Sequence, residues 1–386
     1  MPVDRVVRLA ARGDGVAESG RHVPMTAPGD SVADDGAVIP GPHRAVPPCR
    51  HFPECGGCQL QHVDDSAYAQ YLIDRIASAL AAQDVAVPAI LSPHLSPPNS
   101  RRRATLKAAG GAVGFNAAAS HRIVDMRECH ILRPELFAMV APLRRLLRAR
   151  ATAAMTLADQ GVDLLLEGVS ADRLEAAEAL IAFARENKLA RLALDDGYGA
   201  QTVWEPEPVT VTLSGVMVPL PHNAFLQATA EGEAALIDTV REAVGEGGAV
   251  ADLFAGLGTF AFALPGKVYA AEAARDSVLA LKTAAGRAAR SVFADHRDLY
   301  RRPLDETELA RFDAVVLDPP RAGAREQTAL LARSGVPAIA YVSCNPATFA
   351  RDAKTLVGAG YRLDWVRPVG QFHWSTHVEL AARFSR

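Results

Sequence analysis

The stretch AVADLFAGLGTFAFAL, residues 249–264, reads as a buried β-strand running into a tight glycine turn. Its opening residues are apolar, as a strand covered on both faces requires, and the run stops at Asp252. Gly256 and Gly258 follow, and glycine lets a backbone turn sharply and approach a ligand closely. Working outward, KVYAAEA ends a second strand at Glu272, SVFADHRDL a third near Asp298, and FDAVVLDPP a fourth at Asp318. AIAYVSCNPAT, residues 338–348, carries a fifth strand as far as Ser343, and YRLDWVRPV and HVELAARF supply two more. Seven strands in this pattern predict an α/β, Rossmann-like domain. Carboxylates at four strand ends place one ligand groove along the carboxyl edge of the sheet.

The glycine turn narrows the ligand. DLFAGLGTF has a single G-x-G in place of the three-glycine G-x-G-x-x-G, which suits a cofactor without a pyrophosphate, and S-adenosylmethionine is one. The Asp318-Pro319-Pro320 at the fourth strand's end is the usual substrate-side element of an S-adenosylmethionine methyltransferase fold. Cys344 sits where the fifth strand ends, with Asn345 placed to cap a helix that Pro346 opens. A helix N-terminus favours a thiolate, which makes Cys344 a candidate nucleophile; read alone, it is more often a small buried hydrophobe, the commonest fate of a free cysteine.

The rest of the 386-residue chain is long enough for two or three domains. It has no leader-like apolar segment and no membrane-length apolar run, so a cytoplasmic protein is expected. The net charge of −3 argues by itself against a nucleic-acid partner, but residues 101–150 hold ten Arg and one Lys against one Asp and two Glu. That segment is a candidate phosphate-binding face or simply a solvated basic helix side running to Arg150. Residues 3–40 alternate short apolar runs with Gly, Asp and Pro turns and predict a small β-barrel fragment. Asp65 to about Gln83 has helical spacing, and residues 162–220 read as an α+β portion. Cys49, Cys55 and Cys58 stand in a C-x5-C-x2-C pattern, with Cys129 following some seventy residues later. Four such sulfurs suit an iron–sulfur cluster or zinc, and three close cysteines with one remote favour a [4Fe-4S] cluster.

Taken together, LDPPRAG, SCNPATFARD, the HVE near the C-terminus and the cysteine set resemble the RNA uracil-C5 methyltransferase family, most closely its iron–sulfur 23S ribosomal RNA branch. The resemblance implies a shortened TRAM-like β-barrel at 1–45, a cluster segment and helix at 46–92, a central RNA-facing α+β domain at 93–222 contributing Cys129, and a methyltransferase domain at 223–386. It implies that Cys344 adds to C6 of the uracil, that Glu379 removes the C5 proton, and that Asp318 holds the uracil edge or the cofactor amino group. Gln227, Phe254, Thr259, Glu272 and Asp298 match cofactor contacts, with Asp295 competing for the last role. Arg321, where amino-methylating enzymes have an aromatic residue, argues against N-methylation. The expected partner is RNA and the expected state a monomer. Transfer-RNA T-loop specificity differs only in substrate, and the other alternative is a non-catalytic iron–sulfur RNA-binding protein.

Overall fold

In the computed structural model, which describes residues 3–87, 89–246 and 248–386, the apolar runs of the C-terminal half pair into one sheet. Its strands follow the order Val292–His296, Lys267–Glu272, Ala249–Leu253, Ala314–Leu317, Ala338–Ser343, Glu379–Ser385 and Arg362–Gly370. The first five are mutually parallel. Glu379–Ser385 runs antiparallel to both of its neighbours. The central strands are apolar throughout because both faces are covered. Val315, Leu317, Ile339 and Tyr341 enter one core, while the alternate residues Val316, Ala340 and Val342 enter the other.

The sheet recruits chain from well upstream. Ala89–Ile90 and His94–Leu95 both pair parallel to Arg362–Gly370. The Asp65–Ala81 helix packs against the Pro346–Gly358 helix and the Arg362–Gly370 strand, burying Tyr68, Leu72, Ile76 and Leu80 in the same core. The expected division at residue 92 therefore cuts through a layer of the C-terminal domain. At the other end, the hairpin Thr210–Leu213 and Val216–Pro219 packs on the Arg275–Arg287 helix, so that domain also begins before residue 223. Helical periodicity marks the elements, but it does not say which sheet an amphipathic face will cover.

Between these pieces lies a six-stranded sheet in the order Ala200–Trp204, Arg191–Asp195, Gly161–Glu167, Ala151–Ala158, Arg103–Ala109 and Ala112–Gly114. The basic helical stretch ends at Leu146 and not at Arg150, because Ala151 already starts a strand. The anticipated phosphate face is also revised. Arg102 pairs with Glu233 at 2.6 Å, Arg144 with Asp125 at 2.8 Å and Arg133 with Glu135 at 2.8 Å, so much of the segment's charge ties elements together. The N-terminal residues form a five-stranded antiparallel sheet in the order His22–Val23, Gly15–Ala17, Val3–Leu9, Ser31–Ala33, Val38–Ile39. No ladder joins its two end strands among the described residues, which leaves the sheet open. No helix among the described residues is long and apolar enough to cross a membrane.

Candidate active site

Two loops at the carboxyl edge of the sheet build the reactive corner. Asn345 caps the Pro346–Gly358 helix, its side-chain oxygen accepting from the Ala347 N–H at 3.1 Å, and Pro346 occupies the first helical turn. The Asn345 amide and the Thr348 hydroxyl both donate to the Arg321 carbonyl, at 3.1 and 3.2 Å, so the SCNPAT loop is tied to the DPPRAG loop. Behind them, the buried Asp352 carboxylate accepts from the Tyr341 hydroxyl at 2.6 Å and the Ala324 N–H at 2.9 Å, and pairs with Arg351. Gly323 makes this closure possible. It has φ of +78°, and a Cβ there would fall 2.6 Å from the Arg351 guanidinium and 2.7 Å from the Asp352 carboxylate.

Cys344, Glu379 and Asp318 line one cavity of about 400 Å³ together with Gln227, Phe254, Glu272 and Asp298. Glu272 accepts from the N–H groups of Gly256 (3.0 Å) and Ala274 (2.7 Å), which fixes its carboxylate at the end of its strand. Phe254 holds a left-handed φ of +67° and places its ring 5.6 Å from that of Tyr300. Asp298 accepts from the Tyr300 N–H at 3.0 Å, whereas Asp295 is engaged by the Tyr269 hydroxyl and does not line the cavity. Gln227 is buried and accepts from the Gln371 side chain at 2.8 Å. Thr259 is half-buried and lies outside the lining, so the cavity gathers every other expected cofactor residue but not this one. Tyr300, Phe225 and Arg297 join the wall without having been anticipated. The only sequence signal for Tyr300 is its position two residues after Asp298.

The electrostatics correct one expectation. Burial and the neighbouring Glu379 and Asp318 charges push the Cys344 thiol up to about 11, against a smaller opposing effect of Arg321. The resting group is therefore a thiol and not the thiolate that a helix N-terminus alone suggests. Burial, with Asp318 adding to it, raises Glu379 to about 8, and burial raises Asp318 to about 7. Asp252, fully buried, is raised to about 8, chiefly by burial and then by the Asp318 charge. Burial and the mutual repulsion of these acids raise the pH at which they ionise.

Cys49, Cys55, Cys58 and Cys129 line a second, small cavity walled by Phe115, Val124 and Met126. All four are free thiols, and burial raises each of them, Cys58 to about 12. Among the described residues, no group of three or more His, Cys, Asp or Glu side chains is placed to hold a metal ion. The four sulfurs ringing one cavity nonetheless fit the donor set of an iron–sulfur cluster, which needs thiolate ligands and no other protein groups.

Two further spaces meet the reactive corner. A groove of about 860 Å³ is lined by Arg12, Arg75, Arg101, Lys107, Arg321 and His377, with no carboxylate among its lining residues. Arg321 is common to this groove and the reactive cavity. A space of about 330 Å³ on the other side of the corner is walled by Arg101, Phe225, Phe372 and Glu379.

Known proteins fit this geometry. The family profile described as tRNA (Uracil-5-)-methyltransferase matches residues 206–386. An uncharacterised RNA methyltransferase of Zymomonas mobilis is 53% identical over 99% of this chain and 99% of its own length. The 23S rRNA (uracil(1939)-C(5))-methyltransferase RlmD of Halomonas elongata is 31% identical over 87% of this chain and 76% of its own. Among solved structures, the Pyrococcus abyssi tRNA (uracil-54, C5)-methyltransferase in complex with S-adenosyl-L-homocysteine superposes with a TM-score of 0.76, covering 99% of this chain and 100% of that one at 21% identity. That likeness extends to the fold.

Proposed function

Because this chain belongs to the RNA uracil-C5 methyltransferase family and is an S-adenosylmethionine-dependent enzyme of that class, we propose that it methylates C5 of a uridine in 23S ribosomal RNA through a covalent bond from Cys344 to C6. The observation that carries the reading is the meeting of Cys344, Glu379 and Asp318 in one cavity with Glu272 and Asp298. The ribosomal target rests on the four-cysteine set and on the likeness to the Halomonas protein. We take the N-terminal sheet as a shortened TRAM-like module, the protein as monomeric, and its place of work as the cytoplasm.

Uracil C5 is a poor nucleophile until a thiolate adds at C6 and converts C5 into an enolate carbon. Cys344 loses its proton to water and its sulfur forms the S–C6 bond, while the C5–C6 π pair shifts to give the enolate. Asp318 holds the polar edge of the base, and Pro319 and Pro320 stiffen the loop that carries it. Gln227, Phe254, Glu272 and Asp298 would hold S-adenosylmethionine, which would supply an electrophilic methyl group to C5 with S-adenosylhomocysteine as the leaving group. Glu379 then takes the C5 proton, the C5–C6 double bond re-forms, and the Cys344 thiolate leaves. Raised to about 8, Glu379 in its ionised form is a strong enough base to take that proton. The target base must leave any stack to reach Cys344, at roughly a few kcal/mol, which a single-stranded loop reduces. The carboxylate-free groove beside Arg321 suits the flanking strand.

We further assign Cys49, Cys55, Cys58 and Cys129 to a [4Fe-4S] cluster in preference to zinc, because three close cysteines with one remote suit such a cluster and the four residues line one cavity. Since no electron moves in the reaction, the role given to the cluster is structural.

RNA carrying 5-fluorouridine at the target provides the test, because fluorine at C5 cannot leave as a proton and the adduct is trapped. Wild-type protein should form a denaturation-resistant complex, Cys344→Ala none, and Glu379→Gln should accumulate adduct even on ordinary uridine RNA. Turnover by the Cys344→Ala variant would falsify the mechanism.

A further inference from the structure

Gln227 and Gln371 form a buried pair of amides at the wall of the reactive cavity. Gln227 stands just before the Ala230–Val244 helix and Gln371 just after the Arg362–Gly370 strand. The backbone around Gln227 is fixed by its neighbours. Arg102 donates from its N–H to the Ala228 carbonyl at 2.9 Å and from Nε to the Gln227 carbonyl at 3.0 Å, and Arg103 donates to the Leu226 carbonyl at 2.8 Å. What the backbone leaves open is which way the Gln227 side-chain amide faces.

Gln371 closes that choice. The Ala228 N–H can only donate, so the Gln371 atom that meets it at 3.0 Å is the side-chain oxygen. The other end of the same amide is therefore its N–H2, which donates to the Gln227 oxygen at 2.8 Å. Gln227 lines the reactive cavity and Gln371 does not, so the end of Gln227 turned away from Gln371 is its N–H2. Gly232 makes room for this arrangement, since a Cβ there would fall 2.4 Å from the Gln371 Cγ. The rest of the wall is short of donors. Glu272, Asp298, Asp318 and Glu379 carry carboxyl groups, and the Arg297 guanidinium is taken up by Glu308 and by the carbonyls of Arg302 and Pro303.

We infer that Gln371 is a positioning residue: it holds the Gln227 amide with its N–H2 toward the reactive cavity, where that group donates to an oxygen acceptor, the carboxylate of S-adenosylmethionine. The inference rests on the reading of this cavity as the S-adenosylmethionine site. An amide free to turn would present its own oxygen to that carboxylate, and two facing acceptors leave both unpaired. A carbonyl oxygen of the target uracil has the same acceptor chemistry. The cofactor is the assigned source because a full negative charge among acidic walls depends most on a fixed donor.

The test is calorimetric titration of the full-length protein with S-adenosylhomocysteine and with methylthioadenosine, which lacks the amino-acid carboxylate. Four proteins are compared: wild type, Gln371→Met, Gln227→Met and the double variant. Wild type should bind both ligands. Gln371→Met should bind S-adenosylhomocysteine about tenfold more weakly and methylthioadenosine as wild type does. In the Gln227→Met background, where no amide is left to orient, the same change should add no further loss. Equal weakening of both ligands, or losses that add in the double variant, would make Gln371 a general support of the fold and overturn the inference. Unchanged S-adenosylhomocysteine affinity with a raised KM for RNA would put the acceptor on the base and overturn the assignment to the cofactor. If wild type binds neither ligand, the reading of the cavity falls and the inference with it; if wild type binds and Gln371→Met matches it throughout, only the positioning role falls. Should Gln371→Met not fold, Gln371→Asn, whose amide is one methylene short of Gln227, should show the same selective loss, and wild-type affinity in that variant would overturn the inference.

Discussion

Cys344 shows how far the chemistry of a residue depends on its neighbours. A thiol at a helix N-terminus is ordinarily made more acidic, yet here burial, Glu379 and Asp318 together hold the proton on, and the group titrates near 11. Glu379 and Asp318 are raised to about 8 and about 7, so above pH 8 both carry charge while Cys344 is still protonated. Their repulsion therefore opposes the thiolate through the whole range in which it forms. Replacing Glu379 by Gln removes one of those charges, and the pH midpoint for iodoacetamide alkylation of Cys344 should fall, with several-fold faster labelling at about pH 9. An unchanged or higher midpoint would show that burial alone sets the thiol.

At the level of elements, the reactive corner depends on two loops held in register by groups that never touch the substrate. The Ala338–Ser343 strand and the Pro346–Gly358 helix are joined through Tyr341 and Asp352, and the DPPRAG loop hangs from the same carboxylate through the Ala324 N–H. Asp352→Ala would leave a buried hydroxyl and a buried N–H unpaired, each costing roughly 1–3 kcal/mol. We expect a lower urea midpoint and a loss of adduct formation out of proportion to the loss of stability, since Cys344 and Asp318 sit on the two loops that separate. A variant that unfolds earlier but reacts normally with 5-fluorouridine RNA would show that the loops hold without this tie. Gly323 belongs to the same device, because its left-handed backbone and the absence of a Cβ let the DPPRAG loop close on Arg351 and Asp352.

The whole molecule brings cations from four separated stretches of chain to one groove: Arg12 from the turn between Val3–Leu9 and Gly15–Ala17, Arg75 from the helix on the C-terminal core, Lys107 from the central sheet and Arg321 from the DPPRAG loop. If each contacts a phosphate, an alanine at Arg12, Arg75 or Lys107 should weaken single-stranded RNA binding and reduce the slope of log affinity against log salt by about 0.7; three variants with wild-type salt slopes would place the strand elsewhere. Charge along the chain points to that groove only in part: of the densest basic segment, 101–150, Arg101 and Lys107 line it, whereas Arg102, Arg133 and Arg144 are committed to ion pairs. Local pattern by itself determined the order of the α/β strands, the caps at Asn345 and Pro346, and the carboxylates at the strand ends, because alternation, capping and glycine turns act over a few residues. Spacing also marked Cys49, Cys55, Cys58 and Cys129 as one set, while Glu379 was singled out only by the family resemblance. Only the tertiary structure decided that the Asp65–Ala81 helix belongs to the C-terminal core, that Asp298 and not Asp295 faces the cavity, that Thr259 stands outside it, and that Cys344 rests protonated. Each of those outcomes depends on which distant surfaces are brought together to exclude water, and burial is a property of the assembled chain.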